Sequence, residues 1–186
     1  MNYIITEQQF INLALKNLPY LQFKNQDNEV FIKILKGIGA PVTPETLAFM
    51  YAWRECENSL GAESKNYCNN PFNTTWDVDS ENVKFCSPES NMYCRKNRSG
   101  VKSYKSINVG INATINTIKS GKYPNLLNSL VNSVRTNSNC LQIANNLNGD
   151  LDLWGTQDLN VINKCKSYLK GSTPKPQPIV RQGDCG

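Results

Sequence analysis

Histidine is missing from the 186 residues of this chain. Its absence excludes hydrolases built on a Ser-His-Asp or Cys-His arrangement, and most zinc hydrolases, whose metal is held by histidine. The seven cysteines show no C-x-x-C spacing, which argues against a zinc ribbon or a thioredoxin-like motif. Acid–base chemistry near neutral pH must then use carboxyl groups, lysine, tyrosine or cysteine. The sequence predicts no metal and no cofactor.

Long apolar runs are also lacking, and none approaches the roughly eighteen residues of a membrane span. The N-terminal MNYIITEQQF shows no basic stretch followed by an apolar one, so we see no signal peptide. The net charge of +5 favours approach to anionic partners, and nucleic acid, anionic membranes and bacterial cell walls all qualify. The densest basic cluster, Arg95, Lys96 and Arg98, is too short for a nucleic-acid patch, and we expect no nucleic-acid partner.

Length and composition are those of one globular domain, with 39% hydrophobic and 19% charged residues. We predict a mainly α (α+β) domain over residues 1–170. A proline-rich extended tail is predicted over 171–186, because STPKPQPIVRQGDCG has no apolar periodicity. In this arrangement helices surround one buried central helix, and a small irregular or β lobe completes the domain.

Apolar periodicity predicts three helices in the first third of the chain. The first covers 7–18, and the second starts at an Asp27 or Asn28 cap and ends by Gly39. The third runs from Pro44 to about Glu57, with Thr43 as its N-cap. Its sequence LAFMYAWRECE is apolar nearly all round, which is typical of a buried central helix.

The stretch from 58 to 105 is rich in Asn, Ser, Gly and Pro and predicts an irregular or β lobe at about 66–104. Helical signals return at Ser106 and predict helices over 106–120, from Pro124 onward, near 139–147 and over 156–169. The predicted buried residues of the helix from Pro124 are Leu126, Leu127, Leu130, Val131 and Val134. Those of the helix over 156–169 are Leu159, Ile162, Cys165 and Leu169. Gly110, inside a good helix, predicts close packing against another element.

The cysteines predict a set of disulfides that would persist in an oxidising setting. Seven is an odd number, so at least one cysteine lacks a partner within the chain. We expect Cys86 to bridge to Cys94 across a turn, Cys140 to join Cys165 between two helices, and Cys68 to pair within the lobe.

Glu57 is the strongest candidate for acid catalysis. It follows Trp53 by four residues and Met50 by seven, and so shares their helical face. Burial beside an indole and the helix C-terminus both disfavour its charged form and raise its pKa. A glutamic acid that keeps its proton near neutral pH can donate it to a leaving glycosidic oxygen. Glu55, on another face with Tyr51, is the second candidate; alternatively, Glu57 is an ordinary surface residue at a helix end.

The loop NNPFNTTW at 69–76 offers side chains that suit a sugar polymer. Amides and hydroxyls fit N-acetyl groups and sugar hydroxyls, and an indole can stack on a sugar face; the residues are Asn70, Asn73, Thr74, Thr75 and Trp76. Alternatively, the loop is an ordinary polar turn with one aromatic anchor. Tyr104 and Tyr123 are either walls of the same cleft or plain core.

Several motifs in order make the chain resemble a phage-type lysozyme-like family, itself similar to goose-type lysozymes and lytic transglycosylases. The match covers about 44–156. Its elements are W-x-x-x-E at Trp53 and Glu57, NNPFNT at 69–74, GVKSY at 100–104, GINATINTI at 110–118, GKYPNL at 121–126 and WGT at 154–156.

The resemblance implies cleavage of the MurNAc–GlcNAc β-1,4 bond of peptidoglycan, with Glu57 as the acid and 70–75 lining the sugar cleft. It implies peptidoglycan glycan strands as the partner, and a place in a phage virion or at the bacterial cell wall. Asp77 or Asp79 is a candidate to position water. A single-acid mechanism, with an anhydro product, fits the sequence better, and hydrolysis and transglycosylation both stay open.

Two other functions stay open as well. A non-catalytic virion or wall-binding protein with the same fold is favoured by the three cysteines within 58–105 and by the proline-rich tail, which would contact other virion proteins. A chitinase-like enzyme on a related fold is the third hypothesis.

Overall fold

The computed structural model describes residues 26–59, 69–78 and 101–171, and in these ranges the chain is mainly helical, as predicted. The predicted helix 7–18, the Cys86–Cys94 bridge, Cys68, most of the lobe and the tail lie outside the described residues. The described helices are α1 (Gln26–Ile38), α2 (Pro44–Ser59), α3 (Ile107–Lys119), α4 (Pro124–Val131), α5 (Cys140–Asn145), α6 (Asp150–Trp154) and α7 (Asp158–Leu169).

Helix α2 is the central helix, as its composition predicted. Every side chain from Leu47 to Trp53 is at most 2% exposed, and α1, α5 and α7 pack around it. The predicted cap is present, since the Thr43 hydroxyl accepts a hydrogen bond from the Thr46 amide at 3.2 Å. Full burial of a large apolar side chain stabilises a fold by about 1.5–3 kcal/mol, so this helix organises the core.

Helix α1 supplies a second apolar face, which packs on α2 and α3. Its apolar stripe is buried: Val30, Phe31, Ile34, Leu35 and Ile38. The predicted N-cap is wrong, because the helix includes Gln26, and Asp27 and Asn28 therefore lie within its first turn. Asn28 is buried instead, and its side chain accepts a hydrogen bond from the Tyr51 hydroxyl at 2.7 Å.

Two predicted buried faces in the second half need correction. Helix α4 ends at Val131, so Val134 lies beyond the helical spacing and is 61% exposed, while Val131 is itself 37% exposed. In α7, Leu159 and Leu169 are exposed and Val161, Cys165 and Tyr168 are buried, because α7 turns that face toward α2 and α5. The short helix α6 was not predicted, since five residues are too few for a periodic stripe.

Cys140 and Cys165 form the predicted disulfide, which joins α5 to α7 with Cα atoms 5.6 Å apart. The described parts of the lobe, 69–78 and 101–104, lie against each other, and the Lys102 amide donates a backbone hydrogen bond to the Thr74 carbonyl. They are irregular apart from a single bridge residue, Tyr104. None of the described helices is long and apolar enough to cross a membrane.

Gly110 shows the close packing that its place in a helix predicted. A Cβ atom at this position would lie 1.7 Å from the carbonyl oxygen of Asn69. No side chain larger than hydrogen fits that distance, so α3 and the loop at 69–76 can approach this closely only with glycine at 110. The contact holds the loop against the helical body.

Candidate functional site

The site is built around the carboxyl of Glu57, close to the C-terminal end of α2. Glu57 is 6% exposed and accepts hydrogen bonds from three side chains. The Trp53 indole donates to Oε1 at 3.0 Å, and the Thr156 hydroxyl donates to the same oxygen. The Asn73 amide donates to Oε2 at 3.1 Å. Three segments that are distant in sequence therefore meet at one carboxyl.

Aromatic rings form the apolar side of the site. The Trp53 ring lies 4.2 Å from the Phe72 ring and meets Trp154 edge-on at 4.9 Å, measured between centroids. The Trp154 indole also donates a hydrogen bond to the Phe72 carbonyl at 2.9 Å. These contacts join α2, the loop at 69–76 and the end of α6.

The loop is shaped by asparagine side chains. Asn70 accepts from the Thr74 amide at 2.9 Å and donates to the carbonyls of Thr74 and Lys102, both at 2.8 Å. Asn69 donates to the Tyr104 carbonyl at 2.7 Å. Asn69 and Asn73 have positive φ angles of 55° and 52°, a conformation that asparagine tolerates better than most residues. The resulting tight turn presents the Asn73 amide to Glu57.

Thr156 reaches the site through the turn between α6 and α7. Gly155 takes a φ of 106°, and the Thr156 amide then donates to the Leu151 carbonyl at 2.8 Å. The Asp158 carboxylate accepts from the amides of Gly149 and Leu151 at 2.6 and 2.9 Å, which secures the start of α6. The Thr156 side chain is 1% exposed and is fixed at Glu57 from 99 positions away.

Burial raises the pKa of Glu57 above its ordinary value. The hydrogen bonds from Thr156, Trp53 and Asn73, and the charge of Arg54, favour the carboxylate and oppose this rise. Desolvation is the largest of these effects, so the direction is upward. A carboxyl with a raised pKa keeps its proton closer to neutral pH, which suits it to general acid catalysis.

Glu55, the second sequence candidate, is in a different environment. It is also 6% exposed, but Lys164 forms an ion pair with Oε2 at 2.8 Å and the Tyr168 hydroxyl donates to Oε1 at 2.7 Å. Between the two carboxyls, burial raises the pKa of the Cys56 thiol to about 11. Glu55 thus links α2 to α7, because each of its oxygens contacts a side chain of α7.

The structure divides the predicted binding residues into three groups. Asn73 contacts Glu57 directly. Thr75 is exposed and Trp76 is half-buried, so both lie on the accessible part of the loop. The remaining ones are buried supports: Asn70, Thr74, Tyr104 and Tyr123.

The supporting contacts of this buried group are specific. Thr74 shares a hydrogen bond with Thr117 of α3. The Tyr104 hydroxyl donates to the Trp76 carbonyl at 2.8 Å, and the Tyr123 ring packs 4.9 Å from Trp154. Tyr104 and Tyr123 were predicted to be either cleft walls or core residues, and both are buried in the core. Asp77 forms an exposed ion pair with Lys102 at 2.8 Å, and Asp79 lies outside the described residues.

Sequence reasoning missed the direct contact of Thr156 with Glu57. The WGT motif was visible, but no spacing rule connects position 156 to position 57 before the fold is known. In the described ranges no cluster of three or more acidic or cysteine ligands could hold a metal ion.

Searches against protein-family models, curated proteins and solved structures found no match to this chain. The chemistry of the site therefore has to be inferred from its own residues.

Proposed function

We propose that this protein is a glycosidase that cleaves the MurNAc–GlcNAc β-1,4 bond of peptidoglycan, with Glu57 as its general acid. The observation that carries the proposal is the convergence of separate sequence motifs on one carboxyl. Trp53 comes from the W-x-x-x-E motif, Asn73 from NNPFNT and Thr156 from WGT, and all three donate hydrogen bonds to Glu57.

In the proposed reaction, protonated Glu57 donates its proton to the glycosidic oxygen as the bond from that oxygen to the MurNAc anomeric carbon breaks. The Glu57 carboxylate then removes a proton from the group that attacks this carbon. If water attacks, the product has a reducing end. If the MurNAc 6-hydroxyl attacks, the product is a 1,6-anhydro sugar.

A single-acid mechanism suits the described site. The side chains that bond to Glu57 are an indole, an amide and a hydroxyl, and no carboxylate is among them. The nearby Glu55 is held by Lys164 and Tyr168 on the α7 side. We therefore favour Glu57 acting first as acid and then as base, which corresponds to a lytic transglycosylase.

The exposed part of the loop is the proposed start of the glycan-binding surface. Thr75 supplies a hydroxyl and Trp76 a partly exposed indole, which is suited to stacking on a sugar ring. The net charge of +5 favours approach to an anionic wall. We place the protein in a phage virion or at the bacterial wall, with the tail at 171–186 as a proposed contact for other virion proteins.

The second candidate is a non-catalytic virion or wall-binding protein of the same fold. It is favoured by the burial of Glu57, which is only 6% exposed and accepts three hydrogen bonds, as a residue with a purely structural role does.

Digestion of purified peptidoglycan, with chitin in parallel, separates the candidates. The proposal predicts soluble muropeptides from peptidoglycan and little release from chitin, with anhydro ends identified by mass spectrometry. Binding to walls without any release would support the non-catalytic candidate, and faster release from chitin would indicate a chitinase-like enzyme.

A further inference from the structure

The two oxygens of the Glu57 carboxyl have unequal surroundings. Oε1 accepts two hydrogen bonds, from the Trp53 indole and the Thr156 hydroxyl. Oε2 accepts one, from the Asn73 amide. A carboxyl oxygen offers two lone pairs for hydrogen bonding, so the described donors already occupy both positions on Oε1.

We propose that Thr156 is a positioning residue that, together with Trp53, keeps Glu57 Oε1 as the unprotonated oxygen, so that the transferable proton is carried by Oε2 beside Asn73. The inference rests on the proposed role of Glu57 as the acid. Oε2 is then the oxygen that delivers the proton, and Thr156, 99 positions away in the sequence, determines this choice.

Several contacts hold Thr156 and its neighbours in position. Its amide is bonded to the Leu151 carbonyl at 2.8 Å, and its side chain is 1% exposed. The adjacent Trp154 is bonded to the Phe72 carbonyl and contacts the Trp53 ring. The turn thus fixes the Thr156 hydroxyl and the Trp53 indole relative to each other, and both point at the same oxygen.

Asn73 completes the arrangement on the Oε2 side. Its own Oδ1 is buried and has no hydrogen-bond partner among the described residues. An amide that turns over exchanges its donor for an acceptor of nearly the same size. Asn73 therefore donates to Oε2 when Glu57 is ionised and accepts from Oε2 when it is protonated, which directs the proton to the loop side of the carboxyl.

The test compares Thr156→Val, which keeps the side-chain shape and removes the hydroxyl, with Thr156→Ser, which keeps the hydroxyl. Thr114→Val is the matched control, because it removes a buried hydroxyl that bonds to the Gly110 carbonyl. The Glu57 carboxyl is titrated by ¹³C NMR, with its signal assigned by its absence in Glu57→Gln. The pH profile of wall digestion is recorded for each variant. Arg54 is the charged side chain that acts on Glu57, and it is unchanged in all of them.

Loss of the Thr156 hydrogen bond removes stabilisation of the carboxylate. Thr156→Val should raise the pKa of Glu57 by roughly one unit or more, as expected for a hydrogen bond to a charged group. The alkaline limb of the rate profile should move upward with it, and kcat should fall about tenfold with little change in KM. Thr156→Ser and Thr114→Val should stay close to the wild type.

An unchanged Glu57 pKa in Thr156→Val, or a serine variant that behaves like valine, would overturn the inference. Reduced activity without any movement of the rate profile would also overturn it, because that is the result of a purely structural role. The NMR titration does not require activity. A wild type that digests no wall would contradict the proposed function, while the shift in pKa would still test the contact.

Discussion

Glu55 and Glu57 lie two residues apart on one helix and are equally buried, at 6% exposure each. Glu55 faces α7, where a lysine and a tyrosine satisfy it with a charge and a hydroxyl. Glu57 faces the loop at 69–76 and the turn at 155–157, and its described partners there, together with Trp53 of α2, are neutral donors. Burial alone therefore does not distinguish a structural carboxyl from a candidate acid. The difference lies in the hydrogen-bonding and charged groups around each carboxyl.

The two sides also differ in how they are built. The Glu55 side consists of packed helices, with the Cys140–Cys165 disulfide joining α5 to α7. The Glu57 side consists of a loop and a short turn that the helices hold in place. Functional groups on loops that are supported by a rigid scaffold are a common arrangement in enzymes.

Removal of the Glu57 proton should have the largest effect. Glu57→Gln keeps the volume and the hydrogen-bonding capacity, so the protein should fold. Its rate of wall digestion should fall at least about a hundredfold, within the usual contribution of general acid catalysis. Soluble muropeptide release and circular dichroism measure the two properties. Near-native activity would remove the distinction between the two carboxyls.

Loss of the disulfide should lower the stability of the helices on the Glu55 side and leave the rate of wall digestion unchanged. The bridge closes a segment of 25 residues, and replacing both cysteines, Cys140→Ala with Cys165→Ala, should cost about 2–4 kcal/mol of unfolding free energy. Wall digestion at a temperature where the variant is folded should stay close to the wild type. Denaturant unfolding measures the free energy of unfolding. A variant that keeps full stability but loses activity would contradict the separation between the Glu55 side and the Glu57 side.

An added methyl group at Gly110 should act on the Glu57 side. Its Cβ would overlap the Asn69 carbonyl, so the loop that presents Asn73 has to move. Gly110→Ala should cost roughly 1–3 kcal/mol, as other overpacked sites do, and should lower the rate of digestion more than tenfold. Asn116→Ala, on the exposed face of the same helix, is the control. Equal behaviour of the two variants would show that the contact is not needed.

The smallest effect is expected for Glu55→Gln. Lys164 is 35% exposed and can return to water, so loss of the ion pair should cost about 1–2 kcal/mol. Digestion should remain within about twofold of the wild type, since Glu55 donates no proton in the proposed reaction. Denaturant unfolding and muropeptide release are measured on the same preparation. If this variant is inactive while Glu57→Gln is active, the two roles are reversed.

Local sequence signals predicted much of the fold. Apolar spacing identified the helices now seen as α1 to α5 and α7, and the burial of α2 from Leu47 to Trp53 followed from its composition. The close approach at Gly110 and the Cys140–Cys165 bridge were also predicted. These features depend on residues within one helix, or on one residue type with a narrow geometric use.

Features that depend on tertiary contacts were harder to predict. Val134 and Leu159 were expected to be buried, but their exposure depends on where a helix ends and on which face its neighbours cover. Glu57 was identified from its own helix, whereas Thr156 acts from another part of the chain. The burial of Tyr104 against the loop depends on the same packing of distant segments.

The most direct test of the account is the pKa of Glu57 in the wild-type protein. Carbon-13 NMR titration of labelled glutamate, with Glu57→Gln and Glu55→Gln used for assignment, measures it without any substrate. Wild-type Glu57 should have a pKa above the ordinary value of 4.5, because desolvation outweighs the three hydrogen bonds and the charge of Arg54. A value at or below 4.5 would contradict it, since Glu57 would then be an ionised structural residue.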